Sequence, residues 1–522
     1  MNNKIIARLF LSVALIFPCF LWVCLDKSAW FWDPAMYGLE AIRLWRYLIF
    51  QPSGYFHNLF TVIGTKAPMI CWIGQFFAPF GNWFGYERAL LFMQVFFSAW
   101  MIFDVTRWKI FSSSPLKMLL GALLVASTPV FIFQSHFYFV ELSQAFGVLF
   151  TFGLYLRRKE VSVVYITCAY FTLFFYLLGV KITSPCYIFL PTLGLLHECW
   201  IRRKEYAWHE LKIGRVKLWF ILAIITTITV SIWYITNAMA IYHFAMGSAR
   251  GKTALLYGQK AGLITKFKFW WPNMRNLFWG GRTQIIFEAL LIFGLIVNWR
   301  SWRKIVDQPF CFAVGQVALI LLAVCLQINQ ETRYIYPLLV YWVYIFGRIL
   351  VQKKWIMLLA LIVLLFRCTE INLGTLNVWP LNMWMPWSDK VDTKGLQLNQ
   401  ANLVLEKIVD RKNQKAILLG IDIRQMNENL LQFIYFTQHH DAVLNYPIYS
   451  IGYAQNSVTQ SLQNIKNLHG IYVITLPSSD LKKLNDSWNQ VSLELAVSLE
   501  KSGWRTFSPG TGYFILKNPK ES

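Results

Sequence analysis

The sequence predicts a polytopic α-helical membrane protein with about eleven transmembrane helices, interfacial helices in its first outside loop, and a soluble α/β domain at its C-terminal end. Three observations lead there. The 522 residues are 56% hydrophobic and only 14% charged, whereas a soluble chain of this size carries roughly 25% charge. Apolar stretches recur from Ile5 to Gly374, near the 20-residue length that a bilayer core about 30 Å thick demands. After "NVWPLNMWMPW" the composition changes abruptly, to short apolar runs alternating with amphipathic segments.

In chain order, spans are expected at 5–25, 88–105, 117–134, 140–156, 161–179, 183–200, 217–238, 283–299, 310–328, 334–351 and 355–373. Lys4 and Arg8 precede the first span, and every second junction after it is basic. These junctions hold Arg107, Lys109 and Lys117; Arg157 to Lys159; Arg202 to Lys217; Arg300 to Lys304; and Arg348 to Lys354. Positive residues gather on the cytoplasmic side, so the N-terminus is expected inside and the C-terminal domain outside. No small-residue cleavage site follows Trp22, Val23 and Cys24, so the first segment reads as a retained helix. The short outside loops hold two cations against this bias, Lys181 and Arg333, which suggests a use other than topology.

The net charge of +23 does not indicate a nucleic-acid partner. After Ser388 there are 14 basic and 12 acidic residues, so the excess lies in the membrane part, at rims that face anionic lipid. The nine cysteines all precede residue 370 and form no C-x-x-C pair, which excludes disulfide staples or thiolate zinc in the C-terminal domain. No H-x-x-H, D-x-D or carboxylate cluster is present, and no obligatory metal or cofactor is expected.

Two outside segments are longer than connectors. In the first, "WFWDPAMYGLEAIRLWRYLIF" spaces Met36, Leu39, Ile42, Leu44, Tyr47 and Leu48 like a helix lying in the interface. Asp33 stands where an N-cap belongs, with Pro34 in the first turn; capping and a chemical role are both open. The second, 240–282, interleaves Arg250, Lys252, Lys260, Lys266, Lys268 and Arg275 with "FKFWWP" and "NLFWGG", a pattern that suits either anchoring at the headgroups or clamping an anionic lipid.

These residues fall in a familiar order. Asp33 in "WDPAMYGLEAIRL", Lys66 and Pro68 in "KAPMICWIGQFFAPFG", and Arg88 are followed by Glu141 in "SHFYFVELSQAFGVLF", Lys181 in "YLLGVKITSPCYIFLP" and Arg333 in "RYIYPLLVYW". The series resembles the polyprenyl-phosphate-sugar-dependent glycosyltransferases of the GT-C superfamily, among them protein O-mannosyltransferases and the lipid A aminoarabinose transferase. It departs from them in Pro34 after Asp33, in glutamate rather than aspartate at 141, and in Lys-Ala-Pro for Lys-Pro-Pro.

The resemblance implies a bacterial-type inner-membrane enzyme that moves a sugar from a polyprenyl-phosphate donor to an acceptor outside: lipid A, an envelope glycan, another lipid or a protein. Such transfer breaks an anomeric C–O bond and builds negative charge on the departing phosphate, which cations at a water-poor rim stabilise. Lys66, Lys181 and Arg333 are the candidates for that phosphate clamp. Asp33 is the candidate base for the acceptor hydroxyl, and a lone base with no covalent intermediate implies inversion. Glu141 would coordinate a metal, orient a cation or bind the acceptor; its plainer reading is a paired carboxylate at a span mouth. A lipid-linked glycan flippase and a non-catalytic relative are the alternatives. The flippase would need working charges on both faces, whereas here they collect on one.

The C-terminal domain, 388–522, is expected to alternate helices near 402–411, 427–439, 456–468 and 481–502 with strands "AILLGI", "AVLNY", "IYVITL" and "GYFILK", giving a mainly parallel sheet. No Gly-rich phosphate fingerprint opens any of its helices. A lid, an acceptor-recognition module and a structural cap are all compatible with it.

Overall fold

The computed structural model describes residues 3–28, 30–206, 208–212, 214–376, 390–409, 416–438, 446–451, 457–484, 489 and 491–519. Its membrane part opens with α1 (Asn3–Leu25), followed by four short elements, α2 (Trp32–Phe50), α3 (Pro52–Thr61), α4 (Met69–Gly74) and α5 (Gly81–Phe84). Then come α6 (Tyr86–Val105), α7 (Pro115–Ala126), α8 (Pro129–His136), α9 (Val140–Leu156), α10 (Val163–Val180) and α11 (Phe189–Ile201). The series continues with α12 (Gly214–Arg250), α13 (Lys252–Leu256), α14 (Leu263–Trp279), α15 (Gln284–Val297), α16 (Trp302–Ile305), α17 (Gln308–Leu326), α18 (Leu339–Leu350) and α19 (Lys354–Thr375).

Among the described residues, six helices are long and apolar enough to cross a membrane, or eight if two bent pairs each count as a span. All eleven expected spans coincide with helix. Six are the long helices; two belong to the pairs α7–α8 and α14–α15, bent by 64° and 96°. The remaining three, at 140–156, 183–200 and 334–351, are the shorter α9, α11 and α18. The last two are each entered through a 3-10 turn containing a proline, Pro185 or Pro337, which supplies no backbone N–H to an α-helical ladder. The chain is a multi-pass membrane protein.

The interfacial helix expected in the first loop is α2, but it is buried on more sides than one apolar stripe would require. Ala35, Gly38, Leu39, Ala41, Ile42 and Leu44 are all buried, because α2 lies between α4 and a helix of the C-terminal unit. Gly38 makes this possible: a Cβ there would stand 2.5 Å from the Trp30 ring and 3.0 Å from Phe433.

The C-terminal unit runs α20 (Leu396–Ile408), β1 (Ile417–Leu419), α21 (Glu428–Gln438), β2 (Ile448–Ser450), α22 (Val458–Asn467), β3 (Tyr472–Thr475), α23 (Ser478–Leu481), α24 (Ser492–Lys501), β4 (Arg505–Phe507) and β5 (Phe514–Lys517). The strand order is β2-β1-β3-β5-β4. β1 pairs in parallel with β2 and β3, while β5 is antiparallel to β3 and β4, so the sheet is mixed rather than mainly parallel. The antiparallel pairs come from β5, which runs against both of its neighbours; the second neighbour, β4, is an edge strand with all three residues exposed and carries no apolar alternation to reveal it. Of the expected strand "AVLNY", only Tyr446 lies within the described residues. Buried Ile417, Leu418, Leu419, Val473, Ile515 and Leu516 centre the core of this unit.

Candidate active site

Asp33 sits in the first turn of α2, where the chain changes from extended to helical. Phe31 is extended and occupies the cap position without a side-chain cap bond, and Trp32 has φ 25°. A non-glycine residue with positive φ costs on the order of 1–3 kcal/mol and is held only by surrounding contacts. Asp33 is therefore not the N-cap. Its carboxylate points elsewhere, with Oδ1 2.7 Å from Lys66 Nζ and Oδ2 3.0 Å from Arg333 Nη2.

Lys66 reaches this position from the turn between α3 and α4, which α12 pins. Trp233 Nε1 donates to the Val62 carbonyl at 3.1 Å, and Asn237 Nδ2 donates to that of Phe60 at 2.8 Å. Pro68 then stands at the N-cap position of α4. Arg333 comes from the 3-10 turn Thr332–Leu338 that leads into α18. Lys181 is the extended residue that ends α10, and Glu141 lies in the first turn of α9.

The five candidates converge on one ion-pair network. Arg333 is its centre, 3.0 Å from Asp33, 2.7 Å from Glu331 and 3.6 Å from Glu141. Lys181 Nζ closes it at 2.9 Å from Glu141 Oε1 and lies 4.1 Å from the centroid of the Tyr334 ring. Glu141 is 1% exposed, while the other side chains of the network keep about a fifth of their surface open. Burial pushes the Asp33 carboxyl up, but the charges and hydrogen bonds of Lys66 and Arg333 prevail and hold it well below the usual carboxylate range. Burial pulls the Arg333 guanidinium down, and Glu331, Glu141 and Asp33 reverse this, holding it well above its ordinary value.

Glu331 is the member that sequence reasoning missed. It is an acid two residues before Arg333, with no periodicity to mark it. Arg88 lies outside the network and donates to the Phe84 carbonyl. His136 is buried and stacks on Trp22 at 4.2 Å. In the segment 240–282, two cations serve the fold: buried Lys266 donates to the Gln327 carbonyl, and Arg275 pairs with Glu288 at 2.6 Å. Among the described residues, no group of three histidine, cysteine or acidic side chains could hold a metal ion.

The Lys181–Glu141 pair should matter for stability. Lys181→Met leaves a carboxylate 1% exposed with only the longer Arg333 contact, and removing one partner of a buried pair costs about 3–5 kcal/mol. Thermal unfolding in detergent should show this loss, and adding Glu141→Gln should restore most of it. A double variant as unstable as the single one would rule out the pair as the cause.

No family model matches the sequence, nor does any curated protein. Solved structures do match the fold. The chain superposes on ArnT from Cupriavidus metallidurans bound to undecaprenyl phosphate with a TM-score of 0.58 at 12% identity, covering 98% of each chain. It matches the apo state of that protein with a TM-score of 0.56 at 11% identity, over 97% of each chain. The chain has the fold of this ArnT. An oligosaccharyltransferase of Archaeoglobus fulgidus, in complex with Zn and sulfate, matches with a TM-score of 0.50 at 12% identity, over 99% of this chain and 73% of its own. Within this fold, Asp33 and Arg333, 300 residues apart, meet through side chains.

Proposed function

We propose that the chain is a membrane glycosyltransferase that moves a sugar from a polyprenyl-phosphate donor to a cell-envelope acceptor on the extracytoplasmic face, with inversion. The observation that carries this reading is the carboxylate of Asp33 held between Lys66 and Arg333. This gives a proton acceptor and a phosphate-binding pair within one side chain's reach. The counterpart ArnT is bound to undecaprenyl phosphate, a ligand of the class proposed here. In this reading residues 1–375 are the transferase domain, residues 388–522 face the outside, and the N-terminus is cytoplasmic.

The acceptor oxygen bonds to the anomeric carbon as the bond from that carbon to the phosphate oxygen breaks, and the electron pair leaves with the lipid phosphate. The hydroxyl proton passes to Asp33. Lys66, Arg333 and Lys181 receive the growing phosphate charge where water is scarce, and Glu141 holds Arg333 and Lys181 in place.

Mass spectrometry of the lipids that copurify with the wild-type chain and with Asp33→Asn tests the reading. A polyprenyl-phosphate sugar accumulating on the variant supports it, whereas bulk phospholipid alone on both would move the assignment to a lipid-linked glycan flippase or an inactive relative. Because cations supply the phosphate contacts, EDTA should leave transfer unchanged. Loss of transfer with EDTA, restored by Mg²⁺ or Mn²⁺, would add a divalent ion to the site.

A further inference from the structure

We propose that Asp422 of the C-terminal unit is a positioning residue for Asp33, acting through the indole of Trp32. The inference rests on the glycosyltransferase reading for its consequence and on geometry for its existence. Trp32 immediately precedes Asp33 and carries the positive φ, so any rotation toward ordinary helical values swings the first turn of α2 and the carboxylate with it. Burial holds this residue only in part, for it is 38% exposed. A polar contact adds to it: its Nε1 donates to Asp422 Oδ1 at 2.6 Å.

The acceptor is itself fixed. Asp422 is buried, its backbone N–H donates to Asn489 Oδ1 at 2.8 Å, and Asn489 Nδ2 returns a bond to its carbonyl at 3.0 Å. The two residues before Trp32 are held by the same unit. The Arg424 guanidinium lies 4.2 Å from the centroid of Phe31, and Phe433 stacks on Trp30 at 5.1 Å. Residues 30, 31 and 32 thus each meet a side chain from the stretch between β1 and the middle of α21. The segment that aims the carboxylate is gripped by the C-terminal unit as well as by Phe137, Tyr138 and Phe139 of the membrane part, whose rings lie against Phe31 and Trp30, while the carboxylate itself is gripped from the membrane part. Reacting groups tolerate little displacement, since a misplacement of about 1 Å costs about a hundredfold in rate.

The test uses the full chain in detergent with Asp422→Ala, Asp422→Asn and Trp32→Phe. Amide hydrogen exchange of residues 31–36 should rise about tenfold or more in Asp422→Ala and Trp32→Phe, as expected when a hydrogen bond to a charged group is lost. α6 and α9 should remain at wild-type rates and report any global unfolding. Affinity for undecaprenyl phosphate should stay within about twofold, while kcat for transfer falls about a hundredfold at unchanged KM. Asp422→Asn, whose carbonyl still accepts the indole N–H, should recover most of both effects. The double variant Trp32→Phe with Asp422→Ala should lose no more than either single one. Unchanged exchange at 31–36 in Asp422→Ala, or an equal loss in Asp422→Asn, overturns the proposal. A wild-type chain that does not bind undecaprenyl phosphate would overturn the functional reading instead, and the exchange measurement would still decide the tether.

Discussion

Asp33→Asn is expected to lower sugar transfer by about 10²- to 10⁴-fold, the range for loss of a positioned general base, while the chain stays folded and binds donor. The amide keeps the volume of the side chain and an oxygen for Lys66 or Arg333, but it cannot take the hydroxyl proton. Transfer at wild-type rate in this variant would remove Asp33 as the base. The pH profile sharpens the expectation. In the free protein the Asp33 carboxyl lies well below the usual range. It is therefore ionised at every pH above the ordinary value of about 3.9 and loses its charge only as pH falls through its lower folded value. If a bound donor phosphate draws Lys66 and Arg333 toward itself, that depression is relieved and the carboxylate becomes a stronger base. The acid limb of kcat, which reports the complex, should then lie at higher pH than that of kcat/KM, which reports the free protein. Coincident limbs would show that these cations do not leave Asp33 when donor binds.

Arg333→Ala should weaken undecaprenyl phosphate binding about 10- to 100-fold, the scale of one or two hydrogen bonds to a charged group. It should also destabilise the protein, because Glu331 loses its 2.7 Å contact and Asp33 its 3.0 Å contact. Stranding charges of this kind costs about 3–5 kcal/mol when burial is deep, and the one-fifth exposure of these side chains lowers the figure. Arg333→Lys should recover part of the stability but not the two-pronged grip on a phosphate. Titration with undecaprenyl phosphate separates the two effects. Wild-type affinity in Arg333→Ala would move the phosphate site away from this guanidinium.

Several parts of this architecture are legible in the sequence for physical reasons. Lys181 and Arg333 stand out as cations in short loops that alternate with the basic junctions. The long helices announce themselves by unbroken apolar length. Asp33, Lys66 and Glu141 have no such signal, and only their order along the chain marked them. Their meeting was not legible, since Asp33 and Arg333 are 300 residues apart and no local pattern encodes a tertiary ion pair. The same reason explains why Asp33 does not serve as the cap that its place before Pro34 allowed: the helix starts at Trp32, and two cations from other elements take the side chain. Glu331, β4 and the contact of Trp32 with Asp422 were missed as well: Glu331 has no periodicity to mark it, β4 is an exposed edge, and Trp32 and Asp422 are 390 residues apart.

The side chains of α21 carry one more consequence. Phe433 and Phe436 are 1% exposed and belong to the large core of the membrane part, not to the core around the sheet; Arg46 of α2 lies 4.1 Å from the centroid of Phe436. The boundary between bilayer and water is thus not the boundary between two autonomous folding units. A C-terminal fragment made alone would present two bare aromatic rings to solvent, and a membrane fragment made alone would keep an empty seat on α2. The C-terminal unit cannot be exchanged as a module between relatives without carrying its share of the other core with it, so α2 and α21 are expected to change together or not at all.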